Sequence, residues 1–166
     1  MVKLIGCVFI LVASFSIGMN RSEELKKHLE DLEELKKLFC LLKSELEYTH
    51  APFSEVFDKV AKKVSSSFSK WLQELAIKLQ EKTNGSFDEI WILTIKEHLK
   101  ASKLKEEDVQ ELQAIGKQLE YINQLNLYIE GLEYKIIQTR NTYQAKRKLW
   151  RSLGIMGGLF LVILLL

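Results

Sequence analysis

The chain has 166 residues, 47% hydrophobic and 28% charged, with a formal net charge of +2. Lys and Arg (24) nearly balance Asp and Glu (22), so no long-range field gathers nucleic acid, and none is expected as a partner. A single proline and an abundance of Leu, Lys and Glu favour long helices over sheet, and the length suits one domain with a modest core.

The first predicted element is an apolar run at residues 4–19, free of charge. Leu4, Ile5, Val8, Phe9, Ile10, Leu11, Val12, Phe15 and Ile17 each favour mid-bilayer by roughly 0.3–0.6 kcal/mol. As a helix, residues 1–19 extend ~28 Å, close to a hydrocarbon core. This predicts a transmembrane helix over 1–19. A rival reading is a cleaved signal peptide, because Ser14 and Ser16 are small residues at cleavage-like spacing. A lipoprotein box at Leu4-Ile5-Gly6-Cys7 is rejected, since its apolar stretch follows the cysteine instead of preceding it. Cys7 and Cys40 are expected as free thiols.

From Arg21 to about His50 the pattern is helical: Leu25, Leu29, Leu32, Leu35, Phe39, Leu42 and Leu46 recur every three or four residues. No strong breaker separates this helix from the apolar run. Pro52 stops it and suits the first turn of a second helix, running to about Val64. Ser65-Ser66-Ser67 is a connector, with Ser67 as the expected cap of a third helix carrying Trp71, Leu75 and Leu79. Thr83-Asn84-Gly85 ends that helix. Ser86-Phe87-Asp88-Glu89 has capping-box spacing and opens a fourth, with Ile90, Trp91, Ile95 and Leu99. After a break at 102–105, Glu106, Glu107 and Asp108 place negative charge at the start of a fifth helix reaching about Tyr121.

Ile122, Leu125, Ile129, Leu132, Ile136, Thr139, Tyr143, Lys146 and Trp150 then follow a three-four spacing, with Asn123 or Asn126 as expected caps. This helix runs into a second apolar run at 153–166, ~21 Å as a helix and short for a full span. Lys146, Arg147, Lys148, Trp150 and Arg151 stand before it as interface residues, cations that snorkel and an aromatic anchor. Ser14 with Gly18, and Gly154 with Gly158, form small-xxx-small pairs. These either let the two spans pack on each other or form a docking face for another membrane protein. Arg21, Lys26 and Lys27 flank the first run and the basic cluster flanks the second, with no acid after Glu133. By the positive-inside rule the middle faces the cytoplasm. The resulting plan is all-α: a bundle of about six helices over 20–151, the first and last long and continuous with transmembrane helices at 1–19 and 152–166.

Chemistry is sparse. There is no Gly-rich phosphate loop, nucleophile elbow or metal-ligand spacing. His28, His50 and His98 are far apart and read as surface or helix-end residues. Trp71, Trp91, Phe53, Phe57, Phe68 and Phe87 read as core. A non-enzyme is expected, with no cofactor, metal or small-molecule substrate.

The segment Ser44-Glu45-Leu46-Glu47-Tyr48-Thr49-His50-Ala51-Pro52-Phe53, the start Lys3-Leu4-Ile5-Gly6 and the ending Ser152-Leu153-Gly154-Ile155-Met156-Gly157-Gly158-Leu159 together resemble the stage III sporulation protein AB family of endospore-forming bacteria. The resemblance covers essentially the whole chain. Glu45, Tyr48 and Pro52 match its Glu-x-x-Tyr-x-x-x-Pro segment. Gly116 and Leu119 fit its Gly-x-x-Leu-Gly-x-x-Asp stretch, where Glu120 and Asn123 depart from the second glycine and the aspartate.

The resemblance implies a six-helix fold similar to the cytoplasmic domains of type II secretion platform proteins. It also implies a membrane-anchored scaffold of a secretion-like channel complex in the mother-cell membrane, required for forespore development. Its implied partners are channel subunits, a cytoplasmic secretion-type ATPase and the lipid bilayer. Glu45, Tyr48 and Pro52 are then either a partner-binding site or a structural corner. The alternative from the residues alone is an exported coiled-coil protein, its signal peptide cleaved, held by its C-terminal tail and binding surface components.

Overall fold

The computed structural model describes the backbone of residues 2–49, 51–81, 85–119 and 121–165, and the side chains of 23–49, 51–65, 67–81, 85–119 and 121–149. Among the described residues the elements are α1 (Val2–Thr49), α2 (Phe53–Ala61), α3 (Ser66–Gln80), α4 (Phe87–His98), α5 (Glu106–Ile115) and α6 (Ile122–Leu165). Single 3-10 turns follow α4 (Leu99–Ala101) and α5 (Gly116–Gln118). No strand occurs among these residues. The all-α plan with long first and last helices therefore holds.

Among the described residues no helix is long and apolar enough to cross a membrane. The side chains of both apolar runs, and with them Ser14, Gly18, Trp150, Arg151, Gly154 and Gly158, lie outside the described residues. So do Cys7, His50, Thr83 and Asn84.

The chain divides into two compact units, Met1–Leu29 with Ile137–Leu166, and Glu30–Ile136. In the second unit, α1 and α6 run antiparallel: Lys36 meets Glu133 at 3.2 Å, and Phe39 meets Tyr128 edge-on with centroids 4.7 Å apart. The three-four pattern on α1 becomes the buried row Leu32, Leu35, Leu38, Phe39 and Leu42. Each such side chain contributes roughly 1.5–3 kcal/mol on burial.

The helices between α1 and α6 supply a second aromatic cluster of the core. Phe57, Phe68, Trp71 and Trp91 are buried as expected, while Phe53 and Phe87 are half-buried at the edge of the same ring cluster. Trp71 and Trp91 meet edge-on at 4.9 Å. Trp71 Nε1 donates to Thr94 Oγ1 at 3.1 Å, and Trp91 Nε1 donates to the Leu112 carbonyl at 2.8 Å. The two indoles thus bury their rings without leaving either N–H unsatisfied.

Helix ends show where local reading held. The Ser86–Glu89 box is complete: Glu89 N–H donates to Ser86 Oγ at 3.3 Å and Ser86 N–H to Glu89 Oε2 at 3.0 Å. At α3 the cap position is Ser65 rather than Ser67, and its side chain makes no capping bond. A carboxylate from another helix serves the backbone instead, as Ser65 N–H donates to Glu34 Oε1 at 2.6 Å. Helix α2 stops at Ala61, before the expected Val64. Helix α5 stops at Ile115 instead of about Tyr121, where Gly116 presses against Trp91. Helix α6 begins at Ile122, so neither Asn123 nor Asn126 caps it. His98 closes α4 as a helix-end residue. His28, expected at the surface or a helix end, is buried in the middle of α1.

Candidate functional site

Pro52 sets the corner after α1. Its φ of −58° and ψ of 147° turn the chain, and its carbonyl accepts from Glu55 N–H (3.0 Å) and Val56 N–H (3.2 Å) to start α2. Pro52 is thus the N-cap of α2, one position before the first turn expected for it, and its extended backbone there fits the fixed φ of proline. On the α1 side, Thr49 Oγ1 donates to the Glu45 carbonyl at 2.6 Å and accepts from Ala51 N–H at 3.4 Å, tying off the last turn.

The three predicted corner residues differ in their surroundings. The Glu45 side chain is only 18% exposed and accepts from Lys63 Nζ at 3.1 Å. Lys59 Nζ lies 4.0 Å from its other oxygen. One carboxylate on α1 thereby gathers two cations, one on α2 and one just beyond it. Tyr48 stands apart, 83% exposed. Glu45 and Pro52 make contacts at the corner, while Tyr48 beside them is exposed. Phenol rings in this setting offer a large apolar area plus one polar handle.

A second polar group sits where α5 meets α6. Asp108 is 4% exposed. Its Oδ2 accepts from Lys105 N–H at 3.0 Å and its Oδ1 from Lys135 Nζ at 2.8 Å. Glu111 approaches the same ammonium at 2.8 Å. Burial pulls Lys135 down, but hydrogen bonds to Asp108 and Glu111, with their charges, hold it above the ordinary lysine value. Burial pushes the Tyr128 phenol up, helped by the charges of Glu111 and Asp108, and its buried hydroxyl has no hydrogen-bond partner among the described residues. In sequence Asp108 is only a negative charge at a helix start. Its tie to a lysine 27 residues away carries no local signal.

Lys146, Arg147 and Lys148 are all exposed on α6. Cys40 is a free, exposed thiol. Among the described residues no group of three or more His, Cys, Asp or Glu stands close enough to hold a metal ion.

Among the described residues, six α-helices with long first and last members define an all-helical protein, and comparison with known proteins places it. The family model described as stage III sporulation protein AB matches residues 3–166. The chain belongs to that sporulation protein family. It is 25% identical over 172 residues to "Stage III sporulation protein AB" of Bacillus subtilis (strain 168), covering 100% of both chains. A solved structure titled "Stage III sporulation protein AB" shares the fold with a TM-score of 0.65 at 17% identity, over 71% of this chain and 97% of that one. The resemblance read from the Glu45–Pro52 segment and the two ends is thereby established.

Proposed function

We propose that this protein is a non-enzymatic, membrane-anchored scaffold of a sporulation secretion-like channel complex in the mother-cell membrane. Its transmembrane helices are residues 1–19 and 152–166, and its domain at 20–151 faces the cytoplasm and docks partner subunits such as a secretion-type ATPase. The carrying observation is family membership over 3–166, joined to the sequence plan of a charge-balanced middle between two apolar ends. Within the domain, the exposed Tyr48, held out by a corner that Glu45 and Pro52 brace, is the partner-facing residue. Ser14, Gly18, Gly154 and Gly158 pack the spans against each other.

The test is site-specific photo-crosslinking from position 48 in sporulating cells of the native host. A discrete adduct with another membrane-complex subunit or an ATPase is expected, together with a sporulation defect in Tyr48→Ala at normal protein level. No adduct, with a normal spore count for that variant, refutes the docking role. For topology, a reporter fused at Leu166 is expected to read the outer side and one inserted at Gly85 the inner side; the reverse overturns the orientation.

A further inference from the structure

We propose that the part of α6 just ahead of its apolar end is a collar that binds anionic phospholipid headgroups. The proposal rests on the anchored reading above and goes beyond it. Lys146, Arg147 and Lys148 are consecutive and all exposed. At ~100° per residue on a helix, three consecutive positions face three directions around the axis. Arg151 takes a helix position between the directions of Arg147 and Lys148. The four positions span ~7.5 Å of helix rise. That is close to one headgroup layer, since the polar regions together add roughly 10–15 Å to a ~30 Å hydrocarbon core.

Two further observations choose the occupant. No acid follows Glu133 in the sequence, so this segment carries no counter-charge of its own. The apolar run 153–166 starts two residues after Arg151, which puts the cations at the boundary where phosphates sit. A helix lying flat on a membrane gathers its cations along one side. The four positions cover an arc of about 200° around the axis, wider than the single stripe of a flat-lying helix, which matches a helix that enters the bilayer upright with lipid over that arc. The partner chemistry is therefore a phosphodiester lipid with net negative charge, held by several ammonium and guanidinium groups at once.

The experiment uses the full-length chain reconstituted in phosphatidylcholine vesicles with a trace of spin-labelled phosphatidylglycerol or spin-labelled phosphatidylcholine. The fraction of motionally restricted label gives the relative affinity. A preference of about three- to tenfold for phosphatidylglycerol is expected, falling towards unity in ~1 M salt, where the Debye length is only ~3 Å. Lys146→Gln/Arg147→Gln/Lys148→Gln/Arg151→Gln removes the preference, and Lys146→Arg/Lys148→Arg retains it. Equal affinity for both lipids in the wild type, or a preference that survives the fourfold variant, overturns the collar while leaving the anchor intact. Should the fourfold variant not incorporate, the salt titration of the wild type decides. A wild-type chain that alkaline carbonate strips from vesicles of either composition overturns the anchored reading itself.

Discussion

Gly116→Ala is the sharpest probe of how this bundle is held. Gly116 has helical backbone angles, φ −51° and ψ −42°, so propensity alone favours alanine by up to ~1 kcal/mol. Packing says the opposite. A Cβ at this position falls 2.4 Å from Trp91 Cδ1 and 2.7 Å from its Nε1. The indole has nowhere to retreat: Trp71 lies against it at 4.9 Å, Phe87 at 5.9 Å and Phe57 at 6.1 Å between ring centroids. Its N–H is fixed to the Leu112 carbonyl. Overpacking of this kind costs ~1–3 kcal/mol, and loss of the indole hydrogen bond adds about 1 kcal/mol. Net of propensity, the variant should lose about 1–3 kcal/mol, a fall in Tm of roughly 2–12 °C for a chain of this size. Thermal or urea unfolding of the full-length protein, followed by tryptophan emission, measures it. Gly131→Ala is the control: nothing lies within 4 Å of its Cβ, so it should be neutral or stabilising by up to ~1 kcal/mol. Equal stability of Gly116→Ala and wild type refutes the close-approach argument.

Other expectations follow from the α5–α6 contact and the corner. Asp108→Ala removes the acceptor of both Lys105 N–H and Lys135 Nζ and should cost about 2–3 kcal/mol in the same assay. Because Lys135 retains Glu111, a double-mutant cycle with Lys135→Met should show positive coupling. Tyr128→Phe keeps the contact with Phe39 and deletes a hydroxyl with no partner among the described residues, so stability should stay level or rise by up to ~1–2 kcal/mol. Both Lys135 and Tyr128 hold their protons more tightly folded than unfolded. Their stabilising contribution is complete below the ordinary values near 10, and declines as alkaline pH rises through the folded values. An unfolding free energy that is flat from pH 9 to ~11 contradicts this. Glu45→Gln, which weakens ion pairs to half-exposed lysines, should cost no more than ~1 kcal/mol.

Much of the architecture was legible because it rests on local periodicity. The α1 row at Leu32, Leu35, Phe39 and Leu42, the stop at Pro52 and the Ser86–Glu89 box all encode structure within a few residues. What escaped reading depends on residues distant in sequence. Ser65 looks like the flank of a serine cap, yet Glu34, 31 residues earlier, holds its N–H. The early end of α5 follows from Trp91 lying against Gly116, a contact between different helices. The Glu45–Tyr48–Pro52 segment was found through family resemblance. Composition and spacing could not tell Glu45, turned inward to two lysines, from Tyr48, turned out to solvent.

These long-range ties share a source, which bears on how the corner could work. Within the unit 30–136, the carboxylates of Asp31, Glu34 and Glu45 on α1 reach other parts of the chain. Asp31 Oδ2 accepts from Lys103 N–H at 2.6 Å, Glu34 from Ser65 N–H, and Glu45 from Lys63. At ~100° per residue these three positions fall within an arc of about 60° on one side of α1. Two of the three accept backbone N–H groups in connecting segments, where a neutral side chain or water would otherwise be needed. Helix α1 thus fixes the turn before α3, the segment before α5 and the corner beside α2 from a single rigid element. Tyr48 lies on that same element, three residues past Glu45, so its position is set by the strut that orders the bundle and not by a mobile loop. A residue carried this way has its backbone fixed by the helix, so under the proposed docking role no loop has to be ordered when a partner binds.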